Sequence, residues 1–248
     1  MILNQVINMS LAASFFRWHR WIGYLVAFQV LAWILGGLLF AWLPFQDWIK
    51  CGEVMEKPRQ PLPANWAAQI GPMPTDKGAL LGVQSIATAT GPALKLRFEK
   101  EELLLSVAGG AVTAANASNI SQFALSIYKG EGKLAEVIKI KEAPRRLGMV
   151  HEFSARQNVW VARFDDALQS RFYFDGQSGE LLAARNEAWV IYDFFWRLHV
   201  MDYSEGEDFN NSLLRGTSIV AMGLTITGFA LSFFALRRSW RRKRQTKS

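Results

Sequence analysis

The chain has 248 residues, half of them hydrophobic, and a formal charge of +7 that taken alone suggests a nucleic-acid partner. Its layout excludes one: all 21 acidic residues lie between Asp47 and Asp208, and nine of the 28 basic residues sit outside residues 44–215, beside apolar runs where anionic headgroups attract them. A single cysteine excludes an intrachain disulfide.

Residues 1–20 carry Arg17 and Arg20 and no acid, and are expected on the cytoplasmic side. Residues 21–43 follow without a charge, and a second uncharged run, Gly216 to Leu236, lies in a span set at 212–236. Roughly 20 residues cross a hydrocarbon layer of about 30 Å, so each run is long enough to span. The tail, 237–248, holds Arg237, Arg238, Arg241, Arg242, Lys243, Arg244 and Lys247. Both termini are therefore expected in the cytoplasm, with the middle exported through a bacterial inner membrane. The first run is read as uncleaved, because it is longer than a signal-peptide core and no small-x-small site follows it in Leu43-Pro44-Phe45-Gln46. Trp18, Trp21 and Trp240 mark the inner boundary, and Trp42 and Trp48 the outer one. Ala32 with Gly36, and Gly37 with Ala41, are spaced for close approach of another helix. Cys51, just beyond, is expected to be an idle thiol.

Residues 44–82 show little pattern, and Lys57-Pro58 and Pro61-Leu62-Pro63 suggest a stiff extended lead. Alternation in Leu94, Leu96 and Phe98, then in Leu103, Leu105 and Val107, predicts a hairpin. Ile120, Phe123, Ala124 and Ile127 have helical spacing, with Ser118 as cap and Gly130 as stop. Leu134 to Ile140 predicts a strand. Val159 and Val161 oppose Trp160, Ala162 and Phe164 in a second hairpin whose return strand carries Phe172 and Phe174, and Asp175-Gly176-Gln177-Ser178-Gly179 turns into one more strand. The class is α+β, an antiparallel sheet with a packed helix between two transmembrane helices. In 188–211, a helix from Ala188 to Met201 places Trp189, Tyr192, Phe195, Trp196 and His199 on one side, and is expected to lie along the outer membrane surface.

The segment 118–187, closing on Phe174-Asp175-Gly176-Gln177-Ser178-Gly179-Glu180-Leu181-Leu182, resembles a PepSY domain, whose characteristic close is Asp-x-x-x-Gly-Glu-hydrophobic. Residues 83–117 resemble a shorter, degenerate copy, with Ala108-Gly109-Gly110-Ala111-Val112 at the corresponding place and no Asp. Such copies would make a tandem pair. Arg17-Trp18-His19-Arg20-Trp21-Ile22-Gly23 is similar to the His-Arg-Trp-x-Gly opening of PepSY-associated transmembrane proteins, and Arg197-Leu198-His199 resembles their second histidine element.

Two readings of function follow. PepSY domains resemble protease propeptide modules, so the resemblance implies an inner-membrane-anchored periplasmic binding or regulatory protein without catalysis of its own, facing a periplasmic peptidase or another envelope protein. No metal-spaced cluster, phosphate loop or nucleophile elbow argues for an enzyme. The alternative takes His19 and His199 as haem b ligands of an electron carrier, as the resemblance to larger haem-containing ferrisiderophore reductases implies. Set at opposite ends of a span, the two histidines are too far apart for one iron. A single chain would have to pair His199 with His151, or a histidine with a methionine such as Met201, whereas a homodimer pairs each histidine with its symmetry mate. His151 itself reads as ordinary surface or core.

Overall fold

The computed structural model describes residues 2–70, 75–154, 156–204 and 206–245. The chain is α+β, and divides into two compact units, Met1–Ala41 with Phe194–Ser248, and Trp42–Asp193.

The first unit is helical. Helix α1 covers Ile2–Trp42 and helix α5 covers Ser212–Gln245, both overrunning the charge-free runs because nothing in the flanking arginines opposes a helix. Within them, Ala13–Trp42 and Ser212–Trp240 are apolar enough to cross a membrane. Leu25, Phe28 and Ile34 on α1, and Ile219, Ile226 and Phe229 on α5, are exposed, a surface that only lipid or another protein can cover cheaply. The two helices run antiparallel: Phe15 meets Phe234, and the space beside Gly23 faces Leu224. Helix α4, Glu187–Val200, contributes its last turns to this unit. They pack along α1 rather than apart from it, with Trp196 on Phe40 and the Phe195 carbonyl 3.7 Å from where a Gly36 Cβ would sit. Of the two small-residue pairs, Ala32 and Gly36 serve this approach, whereas Gly37 faces open space and Ala41 is exposed.

The second unit is the α+β module. Strands β1 (Leu80–Thr88), β2 (Gly91–Phe98) and β3 (Glu102–Ser106) form an antiparallel meander. Helix α3, Ala117–Ile127, follows. Strands β4 (Leu134–Ile140), β7 (Val159–Phe164), β8 (Arg171–Phe174) and β9 (Leu181–Arg185) make a four-stranded antiparallel sheet in that order, while β5 (Arg145–Arg146) and β6 (Val150–His151) form a small separate ladder. Alternation sorts the sheet's side chains: Ala162, Phe164, Phe172 and Phe174 meet Ile120, Ala124 and Ile127 of α3, and Val159, Val161 and Tyr173 pack on the other side with Ala143 and Phe153. Burying each of these phenylalanines stabilises the module by roughly 1.5–3 kcal/mol.

Three expectations change. Helix α3 is capped by Asn116, which exchanges hydrogen bonds with Asn119, so Ser118 lies inside the helix. It ends at Ile127, ahead of Gly130, because Tyr128 turns extended and stacks on Phe164 with ring centroids 3.9 Å apart. The lead is not a plain extended stretch: it holds a π-helical turn at Phe45–Ile49, a short helix α2 at Trp66–Ile70, a 3-10 turn at Thr75–Lys77 and the start of β1. Residues 83–117 fold as the greater part of the meander, with only the first residue of α3.

Candidate functional site

The two histidines singled out in the sequence occupy different places in the helical unit. His19 faces α5, its Nδ1 3.1 Å from the Leu224 carbonyl oxygen and 3.0 Å from the Thr227 hydroxyl. A carbonyl oxygen only accepts, so Nδ1 carries the proton and the lone pair belongs to Nε2. Thr227 stays in place by donating back to its own helix, at the Gly223 and Leu224 carbonyls. Gly228 makes room for the ring, since a Cβ there would come within 3.3 Å of His19 Cε1. His19 is thus a contact between helices.

His199 ends α4 in an aromatic setting. The carbonyls of Leu198 and His199, orphans of a helix end, accept from Gln29 Nε2 at 2.7 Å and Trp33 Nε1 at 2.8 Å. Its ring lies 5.8 Å from Phe40, 6.3 Å from Trp33 and 6.5 Å from Trp196, and its Nδ1 is buried without a partner among the described residues. Asp202, the acid nearest in sequence, serves the turn after the helix: Oδ1 accepts from the Ser204 amide and hydroxyl, and Oδ2 from the amides of Gly206, Glu207 and Asp208. The Ser204 hydroxyl and these amides outweigh burial and hold its carboxyl well below the usual range. His151 lies on β6 opposite Arg145, and its Nδ1 is also buried without a partner among the described residues.

A haem can be tested against this geometry. Leu224 fixes the His19 tautomer that leaves Nε2 for a metal, the arrangement a backbone carbonyl gives to ligating histidines. His19 and Trp33, the residue bonded to the His199 carbonyl, are fourteen positions apart on α1, which is about 21 Å along the helix and beyond the reach of one iron. One iron could therefore not be held by both histidines, and His19 Nε2 would need a partner from elsewhere.

In the α+β module, the Asp-x-x-x-Gly-Glu-hydrophobic sequence forms a joint. Asp175 Oδ1 accepts from the Gln177 amide, the Ser178 amide and the Ser178 hydroxyl, and Oδ2 from Arg156. Burial raises its carboxyl's pKa, but these donors outweigh that and leave it lowered. Gly176 has no space for a side chain, since a Cβ would sit 1.7 Å from the Asn158 carbonyl oxygen, and Gly179 has φ +70 with Ala89 pressed against it. The turn also ties in the meander and the start of α3: Gly179 O accepts from Ala89 N, Gln177 O accepts from Ala115 N, and Glu180 pairs with Lys95 at 2.6 Å. The motif's acid, glycine and glutamate are all engaged in holding two parts of the fold together.

A second polar cluster lies on the opposite side of the sheet. Glu152 accepts from Arg146, Arg171 and the Tyr173 hydroxyl, and Glu187 from Arg146 and Arg171. Burial, then Glu152, pushes the Tyr173 hydroxyl's pKa far up. Two arginines and two glutamates balance, and they bind β5, β8 and the start of α4 to one another. Sequence reading missed this cluster, whose only trace is an arginine heading the buried strand Arg171-Phe172-Tyr173-Phe174.

Cys51 is fully buried against the module's core, within 3.5 Å of Asn186 Nδ2, and burial raises its thiol to about 11. It is a packing residue.

One opening in the module is built from strand edges. Thr88 bridges Glu180, and beyond that bridge β1 and β9 part, so that Gln84–Ala87 and Glu180–Arg185 line a cavity of about 420 Å³. Another, of about 540 Å³, borders the arginine-glutamate cluster.

A family described as the PepSY-associated TM region matches residues 16–248. The chain belongs to that family. Neither a curated protein nor a solved structure matches it. Membership in the PepSY-associated TM family, together with the two long apolar helices, makes this a membrane-associated PepSY protein, and the matched stretch takes in His19, most of α1, all of α5 and the whole α+β module.

Proposed function

We propose that this protein is an inner-membrane anchor that presents its PepSY-type module to the periplasm as a binding element, holding a segment of another polypeptide and performing no reaction of its own. The observation that carries the reading is the family motif's position: Asp175, Gly179 and Glu180 are engaged in joining meander to sheet, while the adjacent strand edges of β1 and β9 stay open beside them. Such an opening suits recognition of extended chain, which adds to exposed strand edges through its backbone. The charge layout supports the orientation, since basic residues flanking a span are retained inside. Full-length protein in nanodiscs, titrated with a library of labelled unstructured peptides, is expected to bind a subset saturably with every peptide left intact. No binding by any member, or cleavage by the protein unaided, overturns the reading.

A second reading is favoured by the His19 tautomer: a haem b carrier in which histidines of two copies would hold the group. His19 Nε2 would face the iron, His199 would serve a separate site, and the bound group would supply one-electron transfer. A Soret band in protein purified from haem-supplied cells, diminished in His19→Ala and in His199→Ala and lost when both are replaced, supports it; no band removes it.

A further inference from the structure

Strands β1 and β9 are the facing edges of two antiparallel sheets that nearly merge. At Thr88 and Glu180 they form an antiparallel bridge, and Ala89 N donates to Gly179 O at 3.1 Å. Continued in that register, Ser85 would face Ala183 and Gln84 would face Ala184. Instead those residues line the cavity of about 420 Å³, and the bridge stands isolated, with no ladder continuing between the two strands among the described residues. Each edge thus keeps backbone donors and acceptors that an added strand would pair, and the Ser85 hydroxyl, buried and lining the same cavity, has no partner among the described residues.

We infer that this cleft is a docking slot for an extended, acidic segment of another polypeptide, which enters as a strand between β1 and β9 and sets its carboxylates against Lys50 and Lys57. The inference rests on the binding reading above and names its site and ligand chemistry.

Charge selects the occupant. Lys50 and Lys57 line the cleft, both exposed and neither with a carboxylate partner among the described residues. Arg185 adds a third cation, stacked over Trp189 at 4.2 Å. The one acid in the lining, Glu180, is neutralised by Lys95. Because β1 and β9 are antiparallel, an inserted strand runs antiparallel to one and parallel to the other, and successive side chains point to opposite faces. A segment with acidic residues at alternate positions therefore aims all of its charge to one face, towards the lysines.

The test uses full-length protein in nanodiscs and three short labelled peptides: alternating threonine and glutamate, alternating threonine and lysine, and the glutamate peptide with alternate amides N-methylated. The glutamate peptide is expected to bind about tenfold or more tighter than either of the others. The Lys50→Glu/Lys57→Glu double variant is expected to lose that same factor with its thermal midpoint unchanged, since both lysines are exposed. Equal binding of all three peptides, an unchanged affinity in the double variant, or displacement by phosphatidylglycerol vesicles overturns the slot. If peptides from the library bind while these peptides and variants show no preference, only the slot falls; if no peptide binds at all, the binding reading falls with it.

Discussion

The Asp175 turn shows how little freedom single positions have. Gly176→Ala would place a methyl inside the Asn158 carbonyl, which is backbone and cannot swing aside, so a cost of about 3 kcal/mol is expected. Thermal or urea unfolding of the detergent-solubilised chain measures it, and an unchanged midpoint would mean the turn is not built this way. Asp175 itself carries a pH signature. Its folded pKa is lowered, so its contribution is fully present above the ordinary aspartate value of about 3.9 and fades as pH falls through the folded value. The midpoint gap between wild type and Asp175→Asn should hold at neutral pH and narrow below about pH 4. A gap that stays constant to pH 3 contradicts the assignment. The turn was legible from its glycines and aspartate, because turn chemistry is local. The role of Cys51 was not, since its burial depends on Asn186, far along the chain, coming to meet it.

Elements in this protein are joined by polar groups as much as by apolar ones, and burial decides which of those joints matter. Arg171 and Glu152 are almost fully buried, and removing one leaves the other's charge stranded, so Arg171→Met is expected to cost about 3–5 kcal/mol and to loosen β5, β6 and the start of α4 from the sheet. Arg163 and Glu136, about 40% exposed each, form a comparable pair in water, and Glu136→Ala should cost under about 1 kcal/mol. Urea unfolding of the two variants side by side checks the ranking, and equal effects would refute it. Sequence alternation announced β2, β3, β7 and β8, and in β7 and β8 the two faces meet different surroundings. Strand β1 carried no such signal, because one of its edges and part of each face are half open, and Leu80, Leu81, Val83 and Ile86 do not alternate. The helix after β9 was legible as a helix. Its close approach to α1 was not, because that depends on Gln29 and Trp33 meeting carbonyls at its far end, and pattern within one helix says nothing of its neighbour.

At the scale of the whole chain, the proposed orientation follows from where charge is absent, and it has a direct test that the structure sharpens. The native cysteine is useless as a reporter, because Cys51 is buried and burial keeps its thiol protonated at neutral pH. That same property gives a silent background for added cysteines. Glu102 stands exposed at the start of β3, and Arg238 stands exposed beyond the second apolar run. In intact spheroplasts, a membrane-impermeant maleimide is expected to label Glu102→Cys at once and Arg238→Cys only after the membrane is opened. The basic tail keeps six of its seven charges in the second variant, and the module's acidic residues contribute little to the choice, so neither substitution should itself turn the protein over. Labelling in the reverse order would put the module in the cytoplasm, and the periplasmic half of the functional proposal would fail with it. Labelling of both sites before opening would mean that the two apolar helices do not enclose the same membrane.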